Sequence, residues 1–186
     1  MADKMITVTK FSAARSQLET AILLWFNEAD PVAIHTLAVA AQDCYKAIAK
    51  HSYVESAFER WVQSQPKSFQ KQLHDAQNFF KHGPDRLKGT IRLMLRHAEV
   101  LMVDAVRCHN LAIKDFPPLM WLYAVRFAVE NPTLASVKIA PFINKSIDVY
   151  KIGDVPRKAC LEQILPVLNK AVREGNIPFP HPGFVE

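Results

Sequence analysis

Glycine, cysteine and long apolar runs are all scarce in this 186-residue chain, and each shortage excludes a class of structure. The five glycines include no Asn-Gly or Asp-Gly pair, so the usual signal for β-hairpins is missing. The three cysteines, Cys44, Cys108 and Cys160, lie far apart without CxxC spacing, so we expect reduced core cysteines. No apolar run of about 18 residues occurs, and the N-terminal segment lacks the apolar stretch of a signal peptide. We therefore expect no membrane span and a cytoplasmic protein.

The short motifs of the common enzyme classes are also missing. The sequence contains no GxSxG, GxGxxG or HExxH motif and no glycine-rich phosphate loop, so a conventional hydrolase, dehydrogenase or kinase is not expected. His74 and His82 lie eight residues apart. On one helix that spacing is about 12 Å, too far for both to hold one ion. The Glu-x-x-His pairs of di-iron bundles are absent, and we expect neither a metal nor a cofactor.

Apolar residues make up 49% of the chain and recur at helical spacing, with caps and prolines between the periodic segments. This pattern predicts an all-α, single-domain bundle of seven or eight helices over residues 1–175. The predicted helices run from about Ser12 to Glu28, Pro31 (capped by Asp30) to Lys50, Ser52 to Gln63, Pro66 to His82, Gly89 to Ile113, Pro117 to Asn131, Thr133 to Tyr150 (broken at Pro141) and Pro156 to Gly175. The predicted buried stripe of the second helix is Leu37, Ala40, Ala41, Cys44, Tyr45 and Ile48. Residues 176–186 hold three prolines and predict an extended tail that packs on the bundle.

Positive charge is concentrated in one part of the chain. Between Pro66 and His97 the lysines and arginines are Lys67, Lys71, Lys81, Arg86, Lys88, Arg92 and Arg96, against Asp75 and Asp85 only. This segment therefore accounts for the whole formal charge of +5. Arg92 and Arg96 are one helical turn apart if the helix includes both, and they would then project together. Such a cluster indicates a phosphate or other anion site, with Lys81, Arg86, Lys88 and Arg96 as expected ligand-binding residues. The alternative is a solvated basic face.

The segment Gln77-Asn78-Phe79-Phe80-Lys81-His82, together with the helical pattern of the first two thirds of the chain, resembles the HEPN superfamily of helical bundles. Many of those proteins are metal-independent endoribonucleases that act as dimers, with an arginine, a following polar residue and a histidine in the motif. The resemblance implies that Asn78 and His82 occupy the polar and histidine positions. Gln77 stands where the arginine would be, and glutamine supplies no charge to stabilise a phosphate. The resemblance therefore implies weak or no ribonuclease activity.

Arg92 and His97 have the arginine-to-histidine spacing of the same motif. The residue after Arg92 is Leu93, however, where the motif has a polar residue. The pair lies in the same basic segment as His82, so a composite anion site built from two helices is a further hypothesis. A histidine there would act as general acid or base, and the arginine would hold a phosphodiester. The candidate catalytic residues are therefore His82, Asn78, Arg92 and His97.

Two functions are foremost from the sequence, and a metal-binding bundle is a third possibility behind both. The first is a HEPN-like protein that binds an anionic ligand, RNA or a nucleotide, with degraded catalysis. The alternative is a non-enzymatic homodimeric interaction protein, because the segment from Leu119 to Val125 is apolar around most of a helix. Such a helix is either central in its own bundle or covered by a partner.

Overall fold

A computed structural model describes residues 5–51, 56–81, 90–132 and 148–176, and helices are the only regular secondary structure in these ranges. The elements are α1 (Lys10–Phe26), α2 (Pro31–His51), α3 (Ala57–Gln63), α4 (Lys67–Lys81), α5 (Leu95–Ile113), α6 (Pro118–Glu130), α7 (Arg157–Ala159), a π-turn (Cys160–Ile164) and α8 (Leu165–Arg173). The predicted all-α single-domain bundle is thereby confirmed. Most of the helix predicted over Thr133–Tyr150, and the tail beyond Asn176, lie outside the described residues.

Local capping explains why α2 begins where the sequence predicts. The carboxylate of Asp30 accepts hydrogen bonds from the backbone N–H groups of Val32 (2.8 Å) and Ala33 (2.9 Å). Pro31 occupies the first helical position, where its missing N–H costs nothing. The predicted start of α2 is therefore confirmed.

The last helical segment contains the break that Pro166 requires. Proline has no N–H to donate to the carbonyl four residues earlier, and its ring clashes with that carbonyl. The chain widens into the π-turn immediately before Pro166, and the N–H of Leu165 bonds to the carbonyl of Cys160, five residues back. The segment thus continues past an internal proline until Gly175, which adopts a positive φ of 74°.

One predicted helix start is wrong, and a second falls outside the described residues. Helix α5 begins at Leu95, not at Gly89-Thr90, because residues 90–95 bury no side chain fully and so gain little from becoming helical. Arg92 consequently precedes the helix and does not share a turn with Arg96. Helix α3 begins at Ala57 with Ser56 as its cap, whereas the predicted start at Ser52 lies outside the described residues.

The core is formed by α1, α2, α5 and α6, closed by the π-turn and α8. Helix α6 is central: Trp121, Leu122 and Tyr123 are fully buried by the chain itself. This settles one alternative left by the sequence, because the apolar circumference of α6 needs no partner to cover it. Cys108 and Cys160 are buried free thiols and Cys44 is half-buried, in agreement with the predicted reduced cysteines. Within the described ranges, no helix is both long and apolar enough to cross a bilayer.

The predicted buried stripe of α2 is partly wrong. Ala41 and Tyr45 are buried as predicted, but Leu37, Cys44 and Ile48 are only partly buried. The buried face is instead formed by Ile34, His35, Ala38, Val39, Ala41, Gln42 and Tyr45. Two polar residues lie on this face, and both make hydrogen bonds to α5.

Candidate functional site

A cavity of about 480 Å³ opens between α3, α4 and α5, and its lining is mostly apolar. Its size falls within the range of about 300–1,000 Å³ that is usual for small-molecule pockets. The lining residues are Phe58 and Trp61 from α3, Phe69 and Leu73 from α4, Met94 before α5, Arg96, His97, Val100, Val103, Asp104 and Arg107 from α5, and Phe127 from α6.

Three aromatic rings form one wall of this cavity. The ring centroids of Phe58 and Trp61 lie 5.8 Å apart, and Trp61 meets Phe69 edge-on at 5.6 Å. Trp61 is 47% exposed, so part of its indole face is open to solvent. An exposed aromatic face of this kind can stack on a planar group such as a nucleobase, and such stacking is worth about 1–3 kcal/mol for each base.

The charged residues of the lining are two arginines and one aspartate. Arg96 donates from Nε to the side-chain oxygen of Asn131 at 3.2 Å, and its Nη2 contacts the same oxygen. Asn131 is a neutral acceptor, so this contact orients the guanidinium without cancelling its charge. Among the described lining residues, Asp104 offsets the charge of one arginine, which leaves one net positive charge.

Asp104 is buried and serves as the anchor of α3. Its Oδ2 accepts hydrogen bonds from Gln42 Nε2 (2.5 Å) and Ser56 Oγ (2.6 Å), and its Oδ1 accepts from the backbone N–H of Phe58 (3.2 Å). Ser56 caps α3, so the carboxylate lies at the N-terminus of that helix, where negative charge is favourable. One buried carboxylate thereby joins α2, α3 and α5, and it positions the helix that carries the aromatic wall.

His97 lies in the first turn of α5 and is 6% exposed. Its Nδ1 is 3.3 Å from Nε2 of His35, a fully buried residue of α2. Burial, together with the nearby His35, lowers the pKa of His97 to about 4, and burial also lowers the pKa of His35. Both imidazoles are therefore neutral at neutral pH, which makes His97 a weak general acid there.

A second polar cluster joins α1, α5, α6 and α7. Arg157 pairs with Glu99 (3.2 Å) and Glu130, and its guanidinium stacks 3.7 Å above the ring of Trp25. Burial alone would raise the pKa of Glu130, but the hydrogen bonds and charges of Arg157 and Arg126 outweigh it and lower that pKa. Every charge here has a partner of opposite sign, so the cluster stabilises the bundle.

The residues predicted as a site are only partly brought together. Arg96 and His97 both line the cavity. Asn78 is exposed on α4, and Arg92 is exposed in the segment before α5; neither belongs to the lining. Lys81 is the last residue of α4, and its side chain is not among those described. His82, Arg86 and Lys88 also lie outside the described residues.

Sequence reasoning missed most of the cavity wall. Phe58, Trp61, Phe69, Phe127 and Arg107 line the cavity but were not among the predicted site residues. These residues come from four different helices, so no local spacing connects them. The one available signal was the density of aromatic residues between 58 and 69 in a segment too short to bury all of them.

Within the described residues, no group of three or more histidine, cysteine or acidic side chains is placed to hold a metal ion. Comparison with protein-family models, with curated proteins and with solved structures gave no match to this chain.

Proposed function

We propose that this protein binds a small anionic ligand with a planar body, a nucleotide or one nucleotide unit of RNA, in the cavity between α3, α4 and α5. The observation that carries this proposal is the combination of an aromatic wall with two arginines in one pocket of ligand size. The planar part would stack on Trp61, and the phosphate would lie toward Arg96.

Chemical complementarity supports this ligand class. A purely apolar ligand would leave the guanidinium of Arg96 with the neutral oxygen of Asn131 as its contact, and a bare phosphate would leave the aromatic wall unfilled. A nucleotide satisfies both parts of the cavity, because bases stack on aromatic faces and phosphates accept charge-assisted hydrogen bonds from guanidinium groups.

We propose that the protein is HEPN-like in binding such a ligand but has weak or no ribonuclease activity. Gln77 brings no charge to the motif, and a neutral His97 is a poor proton donor at neutral pH. Asn78 is exposed and outside the cavity lining, so motif and cavity do not share that residue. A cytoplasmic location belongs to the same proposal, and the free thiols among the described residues agree with it.

The test is a calorimetric titration with cyclic AMP and, separately, with a single-stranded oligonucleotide. The informative variant is Arg96→Met, which removes a guanidinium from the lining, and Arg92→Met is its matched control from the same basic segment. Loss of one charge-assisted hydrogen bond costs about 1.5–3 kcal/mol, so we expect cyclic AMP affinity to fall roughly 10- to 150-fold in Arg96→Met only.

The outcome distinguishes the cavity from a basic surface. Cavity binding should depend weakly on salt, whereas a polyanion held by surface lysines and arginines loses affinity steeply as salt rises. Equal losses in the two arginine variants, with a steep salt dependence, would favour the surface. No measurable binding of either probe would refute the proposal.

We propose homodimerisation without a ligand as the second candidate function, because Trp61, Met94 and Leu95 are exposed at or beside the mouth of the cavity, with Leu95 61% exposed. Sedimentation equilibrium of the wild type and of Leu95→Glu tests it. A dimer that the glutamate dissociates supports this candidate, and a monomeric wild type at micromolar concentration eliminates it.

A further inference from the structure

Two histidines from neighbouring helices meet at the floor of the cavity. His97 of α5 lines the cavity, and His35 of α2 is fully buried behind it. Their nearest ring nitrogens, Nδ1 of His97 and Nε2 of His35, are 3.3 Å apart, and the ring centroids are 5.2 Å apart. One nitrogen of this contact must carry a hydrogen and the other must accept it, so the two imidazoles share a proton position.

The other edge of the His97 ring carries an unused polar atom. Because Nδ1 faces His35, Nε2 lies on the side of the ring away from α2. That Nε2 is buried and has no hydrogen-bond partner among the described residues, and the ring packs against Phe58 at 5.7 Å. A buried polar atom without a partner is costly, so a ligand that supplies one gains affinity.

Arg96, the neighbour of His97 on α5 and a residue of the cavity lining, favours an anion at this place. On α5 itself the lining contributes Arg96, Arg107 and Asp104. The carboxylate of Asp104 already accepts three hydrogen bonds at the α3 cap. From α2 the titratable group in contact with His97 is His35.

The described lining residues that come from the other helices around the pair carry no charge. The lining residues from α3, α4 and α6 are aromatic or aliphatic. Glu59 of α3 is paired with Lys46 at 2.8 Å, and neither residue is part of the lining.

We propose that an anionic ligand binds in this cavity together with one proton, which is taken up from solvent and held by the His35–His97 pair. This inference rests on the proposed function, whose site it deepens. In the ligand-free protein, burial keeps the pair neutral at neutral pH. A phosphate oxygen that accepts a hydrogen bond from Nε2–H of His97 places a negative charge beside the ring. This charge stabilises the imidazolium, which burial alone disfavours. The added proton is carried by Nε2 of His97, the outer nitrogen of the pair, and the contact between the rings keeps its single N–H, which Nδ1 of His97 donates to the lone pair of His35 Nε2.

Linkage gives the expected pH dependence. If binding raises the proton affinity of the pair, a proton must equally raise the affinity for the ligand. The affinity for cyclic AMP should therefore increase as the pH falls from about 7.5 to about 5.5, by up to about tenfold for each pH unit. Cyclic AMP is the appropriate probe because its phosphodiester keeps one negative charge over this range.

The experiment is calorimetry at a pH near 6 in two buffers with different ionisation enthalpies, Mes and Bis-Tris. Proton uptake makes the observed binding enthalpy differ between the buffers, and the difference gives the number of protons taken up. The variants His35→Gln and His97→Gln should each remove the pH dependence. His109→Gln is the matched control, because His109 is also fully buried with a pKa lowered to about 4 but bonds to Tyr45 and does not line the cavity.

Each result has a defined meaning. Binding of cyclic AMP with equal affinity at both pH values and equal enthalpy in both buffers overturns the proton coupling and leaves the proposed function standing. No binding at either pH overturns both. If a glutamine variant fails to fold, as thermal unfolding would reveal, the wild-type proton count alone decides.

Discussion

Replacing Asp104 by asparagine should detach α3 from the bundle while leaving the rest of the core in place. In the wild type the carboxylate accepts from Gln42, from Ser56 and from the backbone N–H of Phe58. An asparagine oxygen can still accept from the backbone of α3. Its amide nitrogen is a donor, however, and at the Oδ2 position it would face the donors of Gln42 and Ser56.

The size of the effect follows from the two contacts that are lost. A hydrogen bond to a charged acceptor contributes about 1.5–3 kcal/mol, and the donors left behind are buried. We therefore expect a loss of about 3–6 kcal/mol in the free energy of unfolding. The loss should be local as well as global, since this carboxylate holds the N-terminus of α3, and Phe58 and Trp61 should lose their fixed position.

Urea denaturation measures the first effect, and hydrogen exchange of the α3 amides measures the second. Asp115→Asn is the control: that carboxylate is exposed, lies 3.5 Å from Arg15, and should contribute little. Cyclic AMP affinity should fall with Asp104→Asn and not with the control. A stability of Asp104→Asn within about 1 kcal/mol of the wild type, with unchanged exchange in α3, would refute the anchoring role.

Three further outcomes are expected. The pKa values of His97 and His109 are about 4 in the folded protein and about 6.5 in the unfolded chain. As the pH falls below about 6.5, these histidines therefore bind protons in the unfolded state before they do so in the folded state. Stability, followed by urea midpoints, should be full above that pH and fall by about 1.4 kcal/mol per pH unit for each histidine down to about 4. Glu130→Gln leaves Arg157 without its closest carboxylate and should cost about 1–3 kcal/mol by thermal unfolding, discounted for partial exposure. Gln77→Arg should give metal-independent RNA cleavage above that of the wild type, and the gain should vanish when His82→Ala is added; no gain on a gel would count against the HEPN-like motif.

Helix boundaries were predictable where they depend on neighbouring residues. Asp30 and Pro31 fix the start of α2 because the cap and the helix are adjacent in sequence, and Gly175 ends the last helix for the same reason. The start of α5 depends instead on where the chain first meets the core. Four apolar residues before Arg96 continue the helical period, yet none of them is fully buried, so the period alone predicted helix too early.

The site was less predictable because its polar residues lie in the core. The predicted buried stripe of α2 left out His35 and Gln42, although both lie on the buried face. Both are buried because each meets a partner on α5, His97 and Asp104, more than 60 residues away in sequence. Sequence periodicity treats a polar residue as exposed, so it fails where a distant partner makes burial of that residue favourable.

The position of these polar groups supports the proposal that the cavity binds a ligand. Gln42, Ser56 and Asp104 form one buried network, and His35 with His97 forms a second contact, both between α2 and α5 beneath the cavity walls. Stability alone does not require them, since well-packed apolar residues of similar volume are often as good or better in a bundle core. What apolar residues would not supply is a fixed direction for α3 and a polar atom at the cavity floor. The two networks therefore hold an open, aromatic-walled pocket in one geometry, a property that a ligand-binding protein needs and that a purely structural bundle does not.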